Sequence, residues 1–149
     1  MSTHPKTAYK RVLLKLSGEA LMGSQHSVNA ASIATRGNID PEVIDRIANE
    51  VANAHKLGVQ IAIVVGGGNY FRGSQGSAWG VDKAAADYVG MLATIMNCLI
   101  LQEVLKSKGA QVRVMTAIAM PSIAPALLPV LSAVRKLKPQ NGSRYKAKI

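Results

Sequence analysis

The sequence predicts an α/β domain with a mostly parallel sheet: a three-layer αβα sandwich in truncated form. Two apolar runs of strand length, Arg11–Leu16 and Gln60–Val65, each end in small residues, at Ser17 and Gly18 and at Gly66, Gly67 and Gly68. Stretches of helical length and spacing lie between and after them. Continuous apolar strands are what a parallel sheet covered on both faces requires, and strand–helix alternation builds half of a doubly wound sheet.

The first strand is Arg11–Leu16, and the Ser-, Asn- and Gly-rich residues 22–39 read as a surface loop. A helix then starts at Asp40, a carboxylate N-cap, with Pro41 in the first position and Glu42 in the first turn. Val43, Ile44, Ile47, Val51 and Ala54 continue at helical spacing, and Leu57 with Gly58 closes the helix behind His55 and Lys56. The second strand is Gln60–Val65. A long helix is expected from about Ala84 to Lys106, with Tyr88, Leu92, Ile95, Leu99 and Glu103 or Val104 as its inward face. Gly109 ends it, and residues 111–116 read as a third strand. No strand–helix alternation follows Ala124, so the fold reads as interrupted.

A chain of 149 residues, 48% hydrophobic and 17% charged, suits one globular domain rather than a disordered protein. Its single cysteine, Cys98, excludes an internal disulfide framework or a zinc site built on paired cysteines, and the expected compartment is the cytoplasm. Residues 1–10 are polar and carry no signal-peptide pattern. Residues 114–134 are uncharged, but Pro121, Pro125 and Pro129 recur through them, so no membrane span is expected. The net charge of +10 is uneven: residues 1–124 hold 12 basic and 8 acidic side chains, whereas Arg135, Lys136, Lys138, Arg144, Lys146 and Lys148 crowd the last fifteen positions. That tail contains no recognisable nucleic-acid-binding module, so no specific nucleic acid is expected as partner.

In doubly wound sheets ligands bind beyond the carboxyl ends of the strands. One such end here is Lys15, Leu16, Ser17 and Gly18, and the other is the triple glycine followed by Asn69, Tyr70, Phe71, Arg72 and Gly73. Glycines let backbone N–H groups approach an anion, Arg72 offers a planar charged fork, and Lys15 adds a point charge. Together they suit the charge of a transferring phosphoryl group. Neither standard nucleotide fingerprint fits, because Ser74 and Gln75 follow Gly73 where a Walker loop needs Lys and Ser or Thr, and Phe71 stands where the dinucleotide pattern needs glycine. Asp87 is either a ligand for a nucleoside's hydroxyls or base, or a helix-start acid; Asp82 and Glu19 have the second reading alone. His4, His26 and His55 have no ligand-like spacing, and no metal-binding residues are expected. Cys98 reads as core, and Met91, Met96 and Leu99 as packing within or between subunits.

Three stretches, YKRVLLKLSGEAL over residues 9–21, VGGGNYFRG over 65–73 and DYVGMLATIMN over 87–97, resemble the bacterial UMP kinases of the amino-acid kinase superfamily. The first two are shared more loosely across that superfamily, and the third is specific to the UMP enzymes. The resemblance runs from about Tyr9 to Ala124. It implies ATP-dependent conversion of UMP to UDP in pyrimidine nucleotide synthesis, Mg²⁺ on the ATP phosphates, and a cytoplasmic homohexamer with GTP as activator. By position, Lys15, Leu16, Ser17, Gly18, Gly68 and Arg72 resemble ATP contacts, Gly67 and Asp87 resemble UMP contacts, and Lys15 resembles the residue that stabilises the transferred group. Residues 1–124 are thus expected to be the N-terminal UMP- and phosphate-binding half of the kinase domain. Residues 125–149 depart from the pattern and are expected to be a basic, disordered tail. The loop between Gly23 and Asp40 is longer than the family pattern.

Overall fold

The computed structural model describes residues 7–23, 38–72, 76 and 79–124. Its elements run β1 (Arg11–Leu16), a short 3-10 helix (Gly18–Leu21), α1 (Pro41–Lys56), β2 (Gln60–Val65) and α2 (Lys83–Ser107). The chain divides into two compact units, 1–112 and 113–149, and all of these elements belong to the first.

Both helices begin where the sequence offers a cap. Asp40 Oδ1 accepts from the backbone N–H groups of Glu42 and Val43 at 2.9 and 3.3 Å, and Pro41 follows it. Asp82 does the same for α2, accepting from Ala84 N and Ala85 N. Gly58 and Gly109, just past the two C-termini, lie at φ +86° and +80°, the left-handed conformation that ends helices and that glycine adopts without strain.

β1 and β2 pair in parallel, with Arg11 opposite Gln60 and Leu16 opposite Val65. Side chains alternate across the sheet. Leu16, Ile63 and Val65 point into a core with Leu21, Ile44 and Ala48 and with Leu101 and Leu105 of α2. The other face carries Leu13 and Val64, which are 70% and 52% exposed, together with Lys15. The α/β class and the parallel sheet are therefore as expected, but among the described residues both helices cover one face and no layer covers the other.

Two expectations change. Of the expected strand 111–116, residues 111–115 join no strand ladder and Thr116 alone is a bridge residue; Val112 packs against the core beside Ala110. β-Propensity is a context-dependent preference that packing and pairing decide, so an apolar alternation does not by itself make a strand. The expected inward face of α2 is met only in part: Ile95 is buried and Val104 packs against the core, but the rest of the buried side is made by other residues. Ala86, Ala93, Ile95, Asn97, Leu101 and Leu105 are buried, whereas Tyr88, Leu92 and Glu103 are exposed. The helix is apolar on most sides, so periodicity could not select a face.

In the second unit, Pro121 opens a turn closed by an isolated antiparallel bridge between Met120 and Ala124. The expected tail, 125–149, and most of the long loop lie outside the described residues.

Candidate active site

Parallel pairing brings the C-terminal ends of β1 and β2 side by side. Gly66 N donates to Leu16 O at 2.8 Å as the last rung. Beyond it the chains turn and stay in contact. Ser17 Oγ accepts from Ala20 N at 3.1 Å and caps the 3-10 turn. Gly18 is buried against the glycine loop: a Cβ there would stand 2.5 Å from Asn69 Oδ1 and 2.6 Å from Gly68 N. The two loops thus meet backbone to backbone, at a separation no side chain permits.

None of Gly66, Gly67 and Gly68 has positive φ, and it is at Gly67 that close approach requires glycine. A Cβ on Gly67 would lie 2.8 Å from both Ala93 Cβ and Gly90 O. The loop therefore rests on the N-terminal half of α2, against the small side chain of Ala93 and the backbone of Gly90 and Thr94.

Arg72 reaches back across the junction. Its Nη2 sits 2.7 Å from Glu19 Oε1, and both side chains are partly exposed. Glu19, read from sequence only as a helix-start acid, is thus the ion partner of the expected phosphate ligand. Lys15 lies on the exposed face of the sheet, opposite Val64 and one residue from the end of the ladder. Leu16 faces the core.

Asp87 is exposed and accepts from Lys83 Nζ at 2.9 Å, one turn away on α2. This bond holds the Lys83 ammonium above the usual lysine range. Asp87 stands three residues before Gly90, whose carbonyl Gly67 approaches. Lys15, Ser17, Gly18, Gly67, Gly68 and Arg72 are thus gathered at the two strand ends, whereas the contact the structure gives Asp87 is with Lys83.

Sequence reasoning missed a buried polar clamp behind the loop. Asn97, 0% exposed on α2, donates from Nδ2 to Gly66 O and to Asn69 Oδ1, both at 2.7 Å. Asn69, also buried, returns a bond from its own Nδ2 to Asn97 Oδ1 at 3.1 Å and donates to Asn38 O at 3.0 Å. The available signal was an amide in the apolar run from Ile95 to Leu99, since buried polar groups are held by partners. Cys98, beside it, packs against the core, and burial pushes its thiol above the ordinary value, which suits a packing residue rather than a nucleophile.

As chemistry, the site offers backbone amides at two strand ends, a lysine and an arginine, all donors suited to phosphate oxygens. Among the described residues no group of three or more His, Cys, Asp or Glu side chains is placed to hold a metal ion.

The chain is 48% identical over 123 residues to a uridylate kinase of Dichelobacter nodosus, covering 83% of this chain and 47% of that one. It is 45% identical over 137 residues to that of Corynebacterium glutamicum, covering 92% and 51%. Among solved structures, UMP kinase from Bacillus anthracis superposes with a TM-score of 0.69 at 38% identity, over 86% of this chain and 50% of that one. UMP kinase from Ureaplasma parvum gives 0.68 at 29% identity, over 85% and 52%. The chain thus spans about half the length of the curated relatives it matches. Residues 10–147 match the Amino acid kinase family, a range that takes in most of the basic tail, and the chain belongs to that family.

Proposed function

We propose that this chain is the phosphate-handling half of a nucleoside monophosphate kinase that transfers the γ-phosphoryl group of ATP to UMP, giving UDP and ADP. The supporting observation is the convergence of the Lys15 strand end, Gly18 and the triple-glycine turn with Arg72 on one sheet edge. In this reading Lys15 stabilises charge on the transferred group. Backbone at Leu16, Ser17, Gly18 and Gly68, with the Arg72 guanidinium, holds ATP phosphates. Gly67 and Asp87 contact UMP.

The bond between the β–γ bridging oxygen and the γ phosphorus breaks as a UMP phosphate oxygen bonds to that phosphorus. The attacking oxygen is already anionic at neutral pH, so positioning and charge stabilisation suffice and no general base is required. Mg²⁺ enters with ATP and neutralises charge on its phosphates. Arg72 must share or release Glu19 when phosphate arrives, which makes that ion pair part of the binding equilibrium. The proposal extends to a cytoplasmic homo-oligomer, hexameric and activated by GTP, in pyrimidine nucleotide synthesis.

Titration calorimetry of the full chain with MgATP and with UMP, beside an assay for UDP, tests the reading. ATP binding is expected to weaken about tenfold or more in Lys15→Ala and in Arg72→Ala, the scale of one lost charge-assisted contact. The chain alone is expected to form little or no UDP, since it spans about half of its relatives. Absence of nucleotide binding, or binding indifferent to both substitutions, overturns the assignment.

A further inference from the structure

We infer that Asn97 is a positioning residue: from the middle of α2 its carboxamide fixes the path of the triple-glycine turn without lying in the phosphate site itself. Its influence on ligand binding rests on the kinase reading above; its hold on the loop does not.

Both hydrogens of Asn97 Nδ2 are committed, to Gly66 O and Asn69 Oδ1, and its Oδ1 accepts from Asn69. Gly66 and Asn69 bracket the loop, so one side chain holds both its ends. The Asn69 amide is equally committed, its second hydrogen going to Asn38 O. Because the carbonyls of Gly66 and Asn38 can only accept, the orientation of both amides follows from the network.

The clamp complements what the glycines leave open. Without side chains, residues 66–68 have more conformations to lose than any other tripeptide. Gly67 sets how closely the loop approaches α2, but contact alone does not orient its peptide planes. The Gly66 carbonyl, held at 2.7 Å by a buried donor, fixes the plane of the peptide whose N–H belongs to Gly67. The Asn69 bonds fix the other end and tie it to Asn38, two residues before the cap of α1. Loop, α1 entry and α2 therefore share one buried polar junction.

The replacement Asn97→Asp keeps shape but removes both Nδ2 donors, and it sets an oxygen against Gly66 O and Asn69 Oδ1. Amide hydrogen exchange on the full chain without nucleotide is the deciding measurement. Exchange at Gly66, Tyr70 and Phe71, whose N–H groups donate to Leu16 O and Gly67 O, is expected to rise about tenfold or more, the scale of a lost buried hydrogen bond. Amides of α1 from Ile44 to Ala52, and of α2 from Leu101 to Leu105, are expected to keep their wild-type rates. Should the aspartate variant fail to fold, Asn69→Ala keeps the Asn97–Gly66 bond and is expected to raise exchange at Tyr70 and Phe71 more than at Gly66. Equal acceleration throughout the domain, or none in the loop, overturns the positioning role. MgATP titration of the wild-type chain is read separately: no binding defeats the kinase reading and leaves the role of Asn97 in the loop to be decided by exchange alone.

Discussion

A methyl group added to Gly67 would collide with Ala93 Cβ and Gly90 O, whereas one added to Gly90 would meet open space. Gly67 aims its missing side chain at α2 and Gly90 aims its own away from the loop, so opposite outcomes follow on substitution to alanine. Gly67→Ala must push the loop off α2 and is expected to cost about 1–3 kcal/mol, the range for overpacking. Gly90→Ala, in a helix interior, is expected to gain about 0.5–1 kcal/mol from helix propensity. Chemical denaturation of both variants checks the pair; a neutral Gly67→Ala would show that the loop is not seated on the helix. At this scale the sequence identified Lys15, Gly18, the triple glycine and Arg72 as neighbours on one sheet edge, because topology alone places strand ends together. It did not reveal Glu19 as the partner of Arg72, or Asn97 as the clamp. Those contacts depend on how far a loop folds back and which side of a helix turns inward.

Among the elements, α1 and α2 were legible to within a residue or two, because Asp40–Pro41 and Gly109 are local signals that work wherever the helix packs. The third strand and the inward side of α2 were not, because both depend on what lies alongside. α2 changes character along its length: Ala93 and the backbone of Gly90 and Thr94 meet the glycine loop, and Leu101 and Leu105 fill the core beside α1. At its C-terminal end Lys108 bonds Asp45 of α1, and this bond holds the Asp45 carboxyl below its ordinary value of 3.8. A group depressed in the folded state adds stability that is complete above the unfolded-state pKa and is lost as pH falls through the folded one. The contribution is therefore flat near neutrality and disappears in acid. Asp45→Asn is expected to shallow the fall of the urea midpoint below about pH 4 while leaving the shape of the profile near neutral pH unchanged. An acid limb as steep as that of the parent chain would show that the pair does not couple the helices.

The whole molecule presents two apolar surfaces that its described residues leave open. One is the sheet face with Leu13 and Val64, although the sequence of β2 is that of a strand covered on both sides. The other is a stripe on α2 formed by Tyr88, Leu92, Met96 and Ile100, one residue every four, with Val89 and Met91 beside it. α2 is long and apolar enough to cross a membrane by length and composition, but its core contacts, buried Asn97 and ion pairs near both ends mark it as a packed helix with one side awaiting cover. An i, i+4 ridge is self-complementary about a two-fold axis, so a second copy of the chain is the proposed occupant of the stripe. A stable dimer of this kind buries roughly 1,200–2,000 Å² in total. A charge set into the stripe, Leu92→Glu or Met96→Glu, is expected to shift the sedimentation of the chain toward the monomer. Leu13→Glu, on the sheet face, is expected to leave association unchanged. If the substitutions act the other way round, the sheet face and not α2 joins the copies; a chain that sediments as a monomer before any substitution refutes self-association through either surface.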